Sequence, residues 1–296
     1  MTGKSWRRAS QRRAQGAAFT LVEIMVVMVL LSVIILGLMA MFNQVQKAFR
    51  AGMAQTDQLE GGRMFTDLIV RDLQQITPTF ETNGVNFYTQ IPNYPLLLQT
   101  LPASSYPRTN ILENLFFMSR YNQTWSGIGY FVRTNPSVFG NMNPVGTLYR
   151  FETNVSRSQI SGDAYLPYLT YLNATNPFNI SKILDGVVEF RVRSFDPNGF
   201  VLTNGTQSIE SNLFVTISNS FNIAPGEVEF SAYSNNIVPA YVEVQVGVLE
   251  PAVLKRYNSI PDPTVRSNFL AAHAGNVQLF RQRIAIRNAD PSAYNP

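Results

Sequence analysis

The chain of 296 residues contains no cysteine and a single histidine, His273. The absence of cysteine excludes disulfide bonds, thiolate metal sites and cysteine nucleophiles. A single histidine cannot form an HExxH-type zinc site, and the sequence offers no histidine-activated nucleophile. His273 is predicted to be a surface or helix C-cap residue. We therefore expect no enzyme activity, no cofactor and no bound metal. The roughly 220 residues that follow the N-terminal helix suffice for a core without disulfides.

The positive charge of the chain is concentrated at its N-terminus. The formal net charge is +4, but residues 1–18 hold five of the 23 basic residues and no acidic one. The remainder carries 18 basic and 19 acidic residues. No basic surplus is left to attract nucleic acid, so no nucleic-acid partner is expected. A basic segment before an apolar run is typical of a cytoplasmic leader.

Residues 19–42 form an apolar run interrupted by one carboxylate, Glu23. The run is long enough to cross a bilayer, which needs about 20 helical residues. An ionised Glu costs about 2.5–3.5 kcal/mol on insertion scales, so a partner that offsets its charge is expected. The run exceeds the apolar region of a secretory signal peptide, which spans about 7–15 residues. We therefore predict that it is retained.

The segment Ala18-Phe-Thr-Leu-Val-Glu23, followed by an apolar helix, resembles the N-terminal signature of type IV pilin-like proteins, which include the pseudopilins of type II secretion. The resemblance implies that prepilin peptidase removes residues 1–18 and methylates Phe19. It also implies that Glu23 neutralises the terminal ammonium of a neighbouring subunit. The family usually has Gly before the cut. Cleavage after Gly16 would restore that Gly but move Glu23 from fifth to seventh place, so cleavage after Ala18 is favoured.

Helical periodicity continues beyond the apolar run. Residues 43–77 are predicted to be the amphipathic half of one helix over 19–76, ended by Thr77-Pro78. Gly61-Gly62 is predicted either to bend this helix or to let a strand pack closely against it. The apolar stripe consists of Val45, Phe49, Met53, Leu59, Phe65, Leu68, Ile69, Leu73 and Ile76.

Residues 78–296 are predicted to be an exported β-rich domain. Pro78 and four prolines within 79–112 favour a loop over that range, and Asn and Pro favour a long insertion over 134–182. Asp196-Pro-Asn-Gly199 predicts a turn, with a short helix at 263–272. Alternation places Val188, Phe190 and Val192 on one face. Predicted strands are 115–119, 127–133, 146–151, 187–193, 200–203, 213–218, 227–232, 241–249 and 277–287. The predicted fold class is α+β, a pilin-like lollipop whose long helix packs on antiparallel sheet.

Five short pieces resemble J-type minor pseudopilins and W-type minor pilins. Ala40, at mature position 22, also favours a minor subunit, because many major pilins have Pro there. The resemblance implies a subunit of a type II secretion or type IV pilus-like filament. It would span the inner membrane once with a periplasmic C-terminal domain, and its partners would be prepilin peptidase, other minor and major pilins or pseudopilins, and inner-membrane lipid. The pieces are Arg71-Asp72-Leu73, Ile128–Val132, Leu148-Tyr149-Arg150, Leu184–Phe190 and Val238–Val244.

Two other functions remain open on sequence alone. An adhesive or ligand-binding pilin could use loop aromatics, namely Tyr121, Trp125, Tyr165 and Tyr168. An envelope-anchored enzyme could use the carboxylate pairs Asp185/Glu189 or Glu227/Glu229, although a solvated strand face explains them more simply. The Asp196 turn offers oxygen ligands for Ca²⁺, but the six to eight oxygens that Ca²⁺ usually takes cannot be assembled there. A plain turn is favoured.

Overall fold

The computed structural model describes residues 20–92, 96–99, 108–134, 144–156, 160, 168, 180–202, 215–218 and 228–294. The chain divides into two compact units, Met1–Gly52 and Met53–Pro296, which are described separately below. Ala18, Phe19, Tyr165, Glu227 and most of the predicted insertion 134–182 lie outside the described residues.

One helix, α1, runs from Leu21 to Leu73 and confirms the predicted long helix. Its residues before Gly52 are exposed, and α1 is long and apolar enough to cross a membrane. After α1 the backbone turns at once into the sheet. The N–H of Thr77 donates to the Met118 carbonyl at 3.1 Å, and Ile76 bridges Ser119. The predicted stop at Thr77-Pro78 therefore lies within a few residues of the observed end.

Within the described part of the chain the sheet has nine strands, and every neighbouring pair is antiparallel. The spatial order is β11-β10-β7-β6-β5-β4-β1-β9-β8, and β2 and β3 form a separate pair. The strands are β1 (Glu81–Gln90), β2 (Leu96–Gln99), β3 (Arg108–Asn110), β4 (Asn114–Tyr121), β5 (Thr124–Thr134), β6 (Gly146–Val155), β7 (Ile180–Phe195), β8 (Val215–Ser218), β9 (Phe230–Asn235), β10 (Tyr241–Leu249) and β11 (Val277–Ala285). The helices α2 (Pro251–Ser259) and α3 (Pro263–Ala272) connect β10 to β11.

The main core lies between the second half of α1 and one face of the sheet. Phe65, Ile69 and Leu73 are almost fully buried. They share one hydrophobic cluster with the valines of β10, which occupy one face as predicted. The expected packing of helix on antiparallel sheet is confirmed. The burial begins at Gly62, because Met53 and Leu59 of the predicted stripe remain about half exposed.

Gly62 brings α1 into close contact with β11. A Cβ atom on Gly62 would lie 2.0 Å from Cζ of Phe280, far inside van der Waals contact. A Cβ on Gly61 would meet Leu184 at 3.2 Å. Of the two predicted roles of this glycine pair, close strand packing is confirmed for Gly62.

The middle of the sheet also buries its other face, contrary to the expected single apolar face per strand. Phe116, Phe131 and Phe151 form a second cluster with Trp125 and Tyr168. Trp125 lies within β5 and Tyr168 is fully buried, so their prediction as loop aromatics was wrong. Alternation could not reveal this, because a strand covered on both faces is apolar throughout.

The predicted loop over 79–112 was wrong, because β1 occupies Glu81–Gln90 in the interior of the sheet. β1 pairs with β4 on one side and with β9 on the other. The Asn83-Gly84 dipeptide, a turn signal in sequence, falls at an irregularity in the β1–β9 register. Hydrogen bonds from two neighbours outweigh the weak strand propensity of this segment.

A bulge in β7 alters the predicted faces. Val248 of β10 opposes Val187 and Gly247 opposes Glu189, so Val188 is the extra residue. Val188 consequently packs under α2 and α3, away from Phe190. Glu189, predicted to be solvated, is only 3% exposed and accepts a hydrogen bond from Gln245 at 2.7 Å.

Smaller differences concern connections. The Asp196–Gly199 turn is confirmed by a Gly199 N–H bond to the Asp196 carbonyl at 3.0 Å. The predicted return strand after it is reduced to a bridge between Phe195 and Val201. The helix at 263–272 is confirmed as α3, whereas α2 was missed. The predicted strand 241–249 coincides with β10. The other predicted strands are present with shifted ends, apart from the parts of 213–218 and 227–232 outside the described residues.

Candidate functional site: the two ends of the long helix

The N-terminal end of α1 places Glu23 in its first turn. The N–H of Glu23 donates to Oγ1 of Thr20 at 3.3 Å and to the Thr20 carbonyl at 3.1 Å. Thr20 thus caps the helix, and Glu23 stands at the third helical position. Thr-x-x-Glu is the spacing of a capping box, in which both side chains satisfy backbone donors. Thr20 was not among the predicted site residues, although this spacing is visible in the sequence.

The capping position offsets only part of the free-energy cost of a charge on Glu23. A carboxylate in the first turn gains about 0.3–1 kcal/mol from the helix dipole. That is smaller than the roughly 2.5–3.5 kcal/mol that an acidic residue costs at the centre of a membrane helix, a cost that falls toward the helix end where Glu23 stands. A glutamine also completes a capping box without a charge. Glu23 is exposed, and capping alone does not account for its charge.

The helix surface that follows Glu23 is apolar on all sides. The next charged residue is Lys47. Ser32 is the one hydroxyl residue between them, and its Oγ donates to the Met28 carbonyl at 2.8 Å. This bond satisfies the hydroxyl within the helix, as a lipid environment requires. The surface suits burial in lipid or against other apolar helices.

The C-terminal end of α1 is fixed by a buried carboxylate, Asp72. Its Oδ2 accepts Arg150 Nε at 2.6 Å and the Tyr130 hydroxyl at 2.7 Å. Arg150 also contacts Glu152. Burial and the Asp72 charge raise the pKa of Tyr130 above its ordinary range. Burial alone would lower the pKa of Arg150, but its bonds to Asp72 and Glu152 outweigh this and hold it raised.

The residues considered for enzyme chemistry do not converge. His273 is the C-cap of α3, as predicted, and its Nδ1 lies 2.8 Å from the Phe269 carbonyl oxygen. Burial opposes ionisation of Asp185, but Lys182 and Thr147 lower its pKa, which disfavours a general acid. Oδ1 of Asp196 accepts the Phe200 N–H at 2.7 Å inside the turn. In the described part of the chain, no three acidic or histidine side chains gather as a metal site would need.

Comparison with known proteins gives one match, at the N-terminus. Residues 13–39 match the prokaryotic N-terminal methylation motif. The match contains the predicted processing residues Ala18 and Phe19 together with Glu23. The search of curated proteins and the search of solved structures found no match. The motif supports a type IV pilin-like N-terminus, and the single apolar helix fits a membrane anchor.

Proposed function

We propose that this chain is a minor pilin or pseudopilin, a non-enzymatic subunit of a type II secretion or type IV pilus-like filament. Prepilin peptidase would cut between Ala18 and Phe19 and methylate Phe19. The methylation motif over residues 13–39 supports this processing. Before assembly, residues 19–42 would anchor the subunit in the inner membrane, with the C-terminal domain 78–296 in the periplasm. The basic leader supports this orientation, because basic segments stay cytoplasmic.

Glu23 is the observation that carries the proposal. Its cap to Thr20 and the helix dipole offset only a fraction of its cost in an apolar environment. The methylated ammonium of Phe19 in a neighbouring subunit would supply the missing positive charge. A pair of opposite charges in a dry interface is stable only when both partners are present. Glu23 would therefore act in assembly, while Leu21 to Phe42 would supply the apolar packing surface.

The subgroup proposal rests on the C-terminal end of α1. Three of the pieces that resemble J-type pseudopilins and W-type pilins contain Asp72, Tyr130 and Arg150. These three side chains meet at one carboxylate oxygen. A buried carboxylate that joins the helix end to the sheet would give all three pieces one structural role in such a subunit. This supports a minor subunit.

The aromatic residues give little support to an adhesive pilin. Trp125 and Tyr168 belong to the core, and Tyr121 is exposed to 71% at the end of β4. An exposed tyrosine on its own does not define a ligand site. The assembly role is therefore the better supported of the two.

Replacement of Glu23 by Gln in the full-length protein tests the assembly role. Glu23→Gln keeps the size and capping ability of the side chain but removes its charge. We expect normal membrane insertion and normal leader removal, with incorporation into sheared filaments reduced about tenfold or more, the effect of losing about 1.4 kcal/mol. Asp57→Asn, an exposed carboxylate on the same helix, is the matched control. Undiminished incorporation of Glu23→Gln would refute the proposed role of the charge.

A further inference from the structure

β11 is an edge strand of the sheet that the described residues form. It pairs with β10 through nine consecutive residues, from Val277 to Ala285, without any irregularity. It lies at the end of the strand order of the nine-stranded sheet, and no described strand pairs with its outer side. It contains no proline or glycine, and most of its side chains are exposed. A long regular edge of this kind presents a row of backbone donors and acceptors to another strand.

A groove runs beside this edge, between β11 and the second half of α1. Its volume is about 810 Å³, and both its walls belong to the unit Met53–Pro296. Exposed apolar side chains line it from both walls: Leu59 and Met64 from α1, and Leu279 from β11. Phe280, seated on Gly62, forms its floor. Polar and charged side chains complete the lining: Thr56, Glu60, Arg63, Thr66, Asp67 and Arg281. The groove thus offers apolar side chains beside two carboxylates and two guanidinium groups, next to the outer backbone groups of β11. The carboxylates belong to α1, so an acidic face of an added strand would have to turn away from α1.

The edge is also basic. Residues 277–289 include Arg281, Arg283 and Arg287 and no acidic residue. Arg281 bonds to Glu243 at 2.8 Å, yet its side chain remains 58% exposed. Arg283 is exposed and stacks over the rings of Phe195 and Tyr241, at 4.1 and 4.9 Å from their centroids. Charged side chains on an edge often serve only to discourage aggregation. That role does not account for the apolar groove alongside.

We propose that an extended segment of another polypeptide, acidic on one face and apolar on the other, binds β11 as a tenth strand. The two faces follow from strand alternation. Phe280 and Ile284 of β11 point toward the core under α1. Leu279, Arg281 and Arg283 alternate with them on the opposite face, and Leu279 and Arg281 also line the groove where it opens at the edge of the sheet. An added strand therefore turns one set of side chains toward Leu59 and Met64 and the alternate set toward the arginines. This inference does not depend on the proposed filament role.

The test uses the full-length protein in neutral detergent micelles. The probe is a fluorescein-labelled peptide of alternating Glu and Val, equal in length to β11 at 9 residues. The comparison peptide replaces every Glu with Lys. We expect the acidic peptide to bind at least about fivefold more tightly, with affinity that falls as salt is raised. We also expect it to slow amide hydrogen exchange in residues 277–285.

Two variants separate strand addition from general charge attraction. Arg281→Gln/Arg283→Gln should weaken the acidic peptide about fivefold, since two exposed charge contacts are lost. Arg50→Gln/Lys255→Gln removes two exposed charges elsewhere and should leave binding unchanged. Hydrogen exchange in α1 and β10 verifies that both variants are folded.

Three results would overturn the proposal. The first is equal affinity for the Lys peptide or for Arg281→Gln/Arg283→Gln. The second is peptide binding that leaves exchange in 277–285 unchanged, because a docked strand must protect the edge amides. The third is protection of this edge that rises with protein concentration alone, which would assign it to a second copy of the chain.

Discussion

Nε of Arg150 lies 2.6 Å from Oδ2 of Asp72 and joins the last turn of α1 to β6. Asp72 is 2% exposed and also accepts the Tyr130 hydroxyl. A carboxylate removed from water persists when its partners satisfy it. This contact determines where α1 ends against the sheet, and so where the helix enters the domain.

Removal of the carboxylate charge should be strongly destabilising. Asp72→Asn leaves the largely buried guanidinium of Arg150 with only the half-exposed Glu152 as a counter-charge. We expect the free energy of unfolding to fall by about 3 kcal/mol, the lower end of the range for a broken buried pair, measured by urea titration of the full-length chain in micelles. Tyr130→Phe keeps the ion pair and should cost only about 0.5–1.5 kcal/mol. A loss below about 1 kcal/mol for Asp72→Asn would show that the pair does not hold the helix end.

The contact between Gly62 and Phe280 gives a second prediction. Gly62→Ala forces the Phe280 ring to move, because the new Cβ would lie 2.0 Å from it. We expect a loss of about 1–3 kcal/mol from overpacking, despite the better helix propensity of alanine. Thermal unfolding of the full-length chain measures the effect.

Gly52→Ala is the matched control for that substitution. Gly52 also lies within α1, but a Cβ there meets nothing within 4 Å. This variant should keep or gain stability, by up to about 1 kcal/mol. If Gly62→Ala were equally harmless, the close packing of β11 on α1 would be refuted.

Buried tyrosines predict a loss of stability in alkali. Burial raises the pKa of Tyr257 to about 12 and holds those of Tyr130, Tyr233 and Tyr294 higher still. Burial also raises the pKa of Tyr168 well above its ordinary value. In the unfolded chain a tyrosine ionises near pH 10. The stability that these neutral groups contribute is therefore complete below pH 10 and falls as pH rises above it. Above pH 10, each buried tyrosine lowers the free energy of unfolding by about 1.4 kcal/mol per pH unit, until the pH reaches its pKa in the folded chain.

Urea titrations between pH 8 and about pH 11 measure this dependence. Tyr257→Phe should make the fall of the unfolding free energy with pH shallower, because one ionising tyrosine is removed. Tyr121→Phe, at an exposed position, should leave the slope unchanged. A stability that stays flat above pH 10 would contradict the burial of these hydroxyls.

Sequence periodicity correctly predicted the helix and the strands that bury only one face. The C-terminal part of the helix stripe, from Phe65 to Ile76, and the alternating valines of β10 are buried as periodicity indicated. β1 was missed because its Asn and Gly indicate a turn, while pairing with β4 and β9 determines its structure. The bulge at Val188 was also missed, because it is visible only in the register with β10.

The candidate site also contains residues that the sequence could reveal and residues that it could not. Glu23 was recognisable because a charge in an apolar run is costly, and Thr20 could have been found from its spacing. The meeting of Asp72, Tyr130 and Arg150 was not foreseeable from sequence, since 58 and 78 residues separate Asp72 from its two partners. Each of the three pieces was recognisable, but their contact depends on the tertiary fold.

The central claim is that the chain is processed immediately before Phe19. Mass spectrometry of the N-terminal peptide, from protein purified out of membranes that contain prepilin peptidase, tests it directly. The account predicts a chain that begins with N-methyl-Phe19, so that Glu23 is its fifth residue. A chain that retains Met1, or one that begins after residue 42, would contradict it.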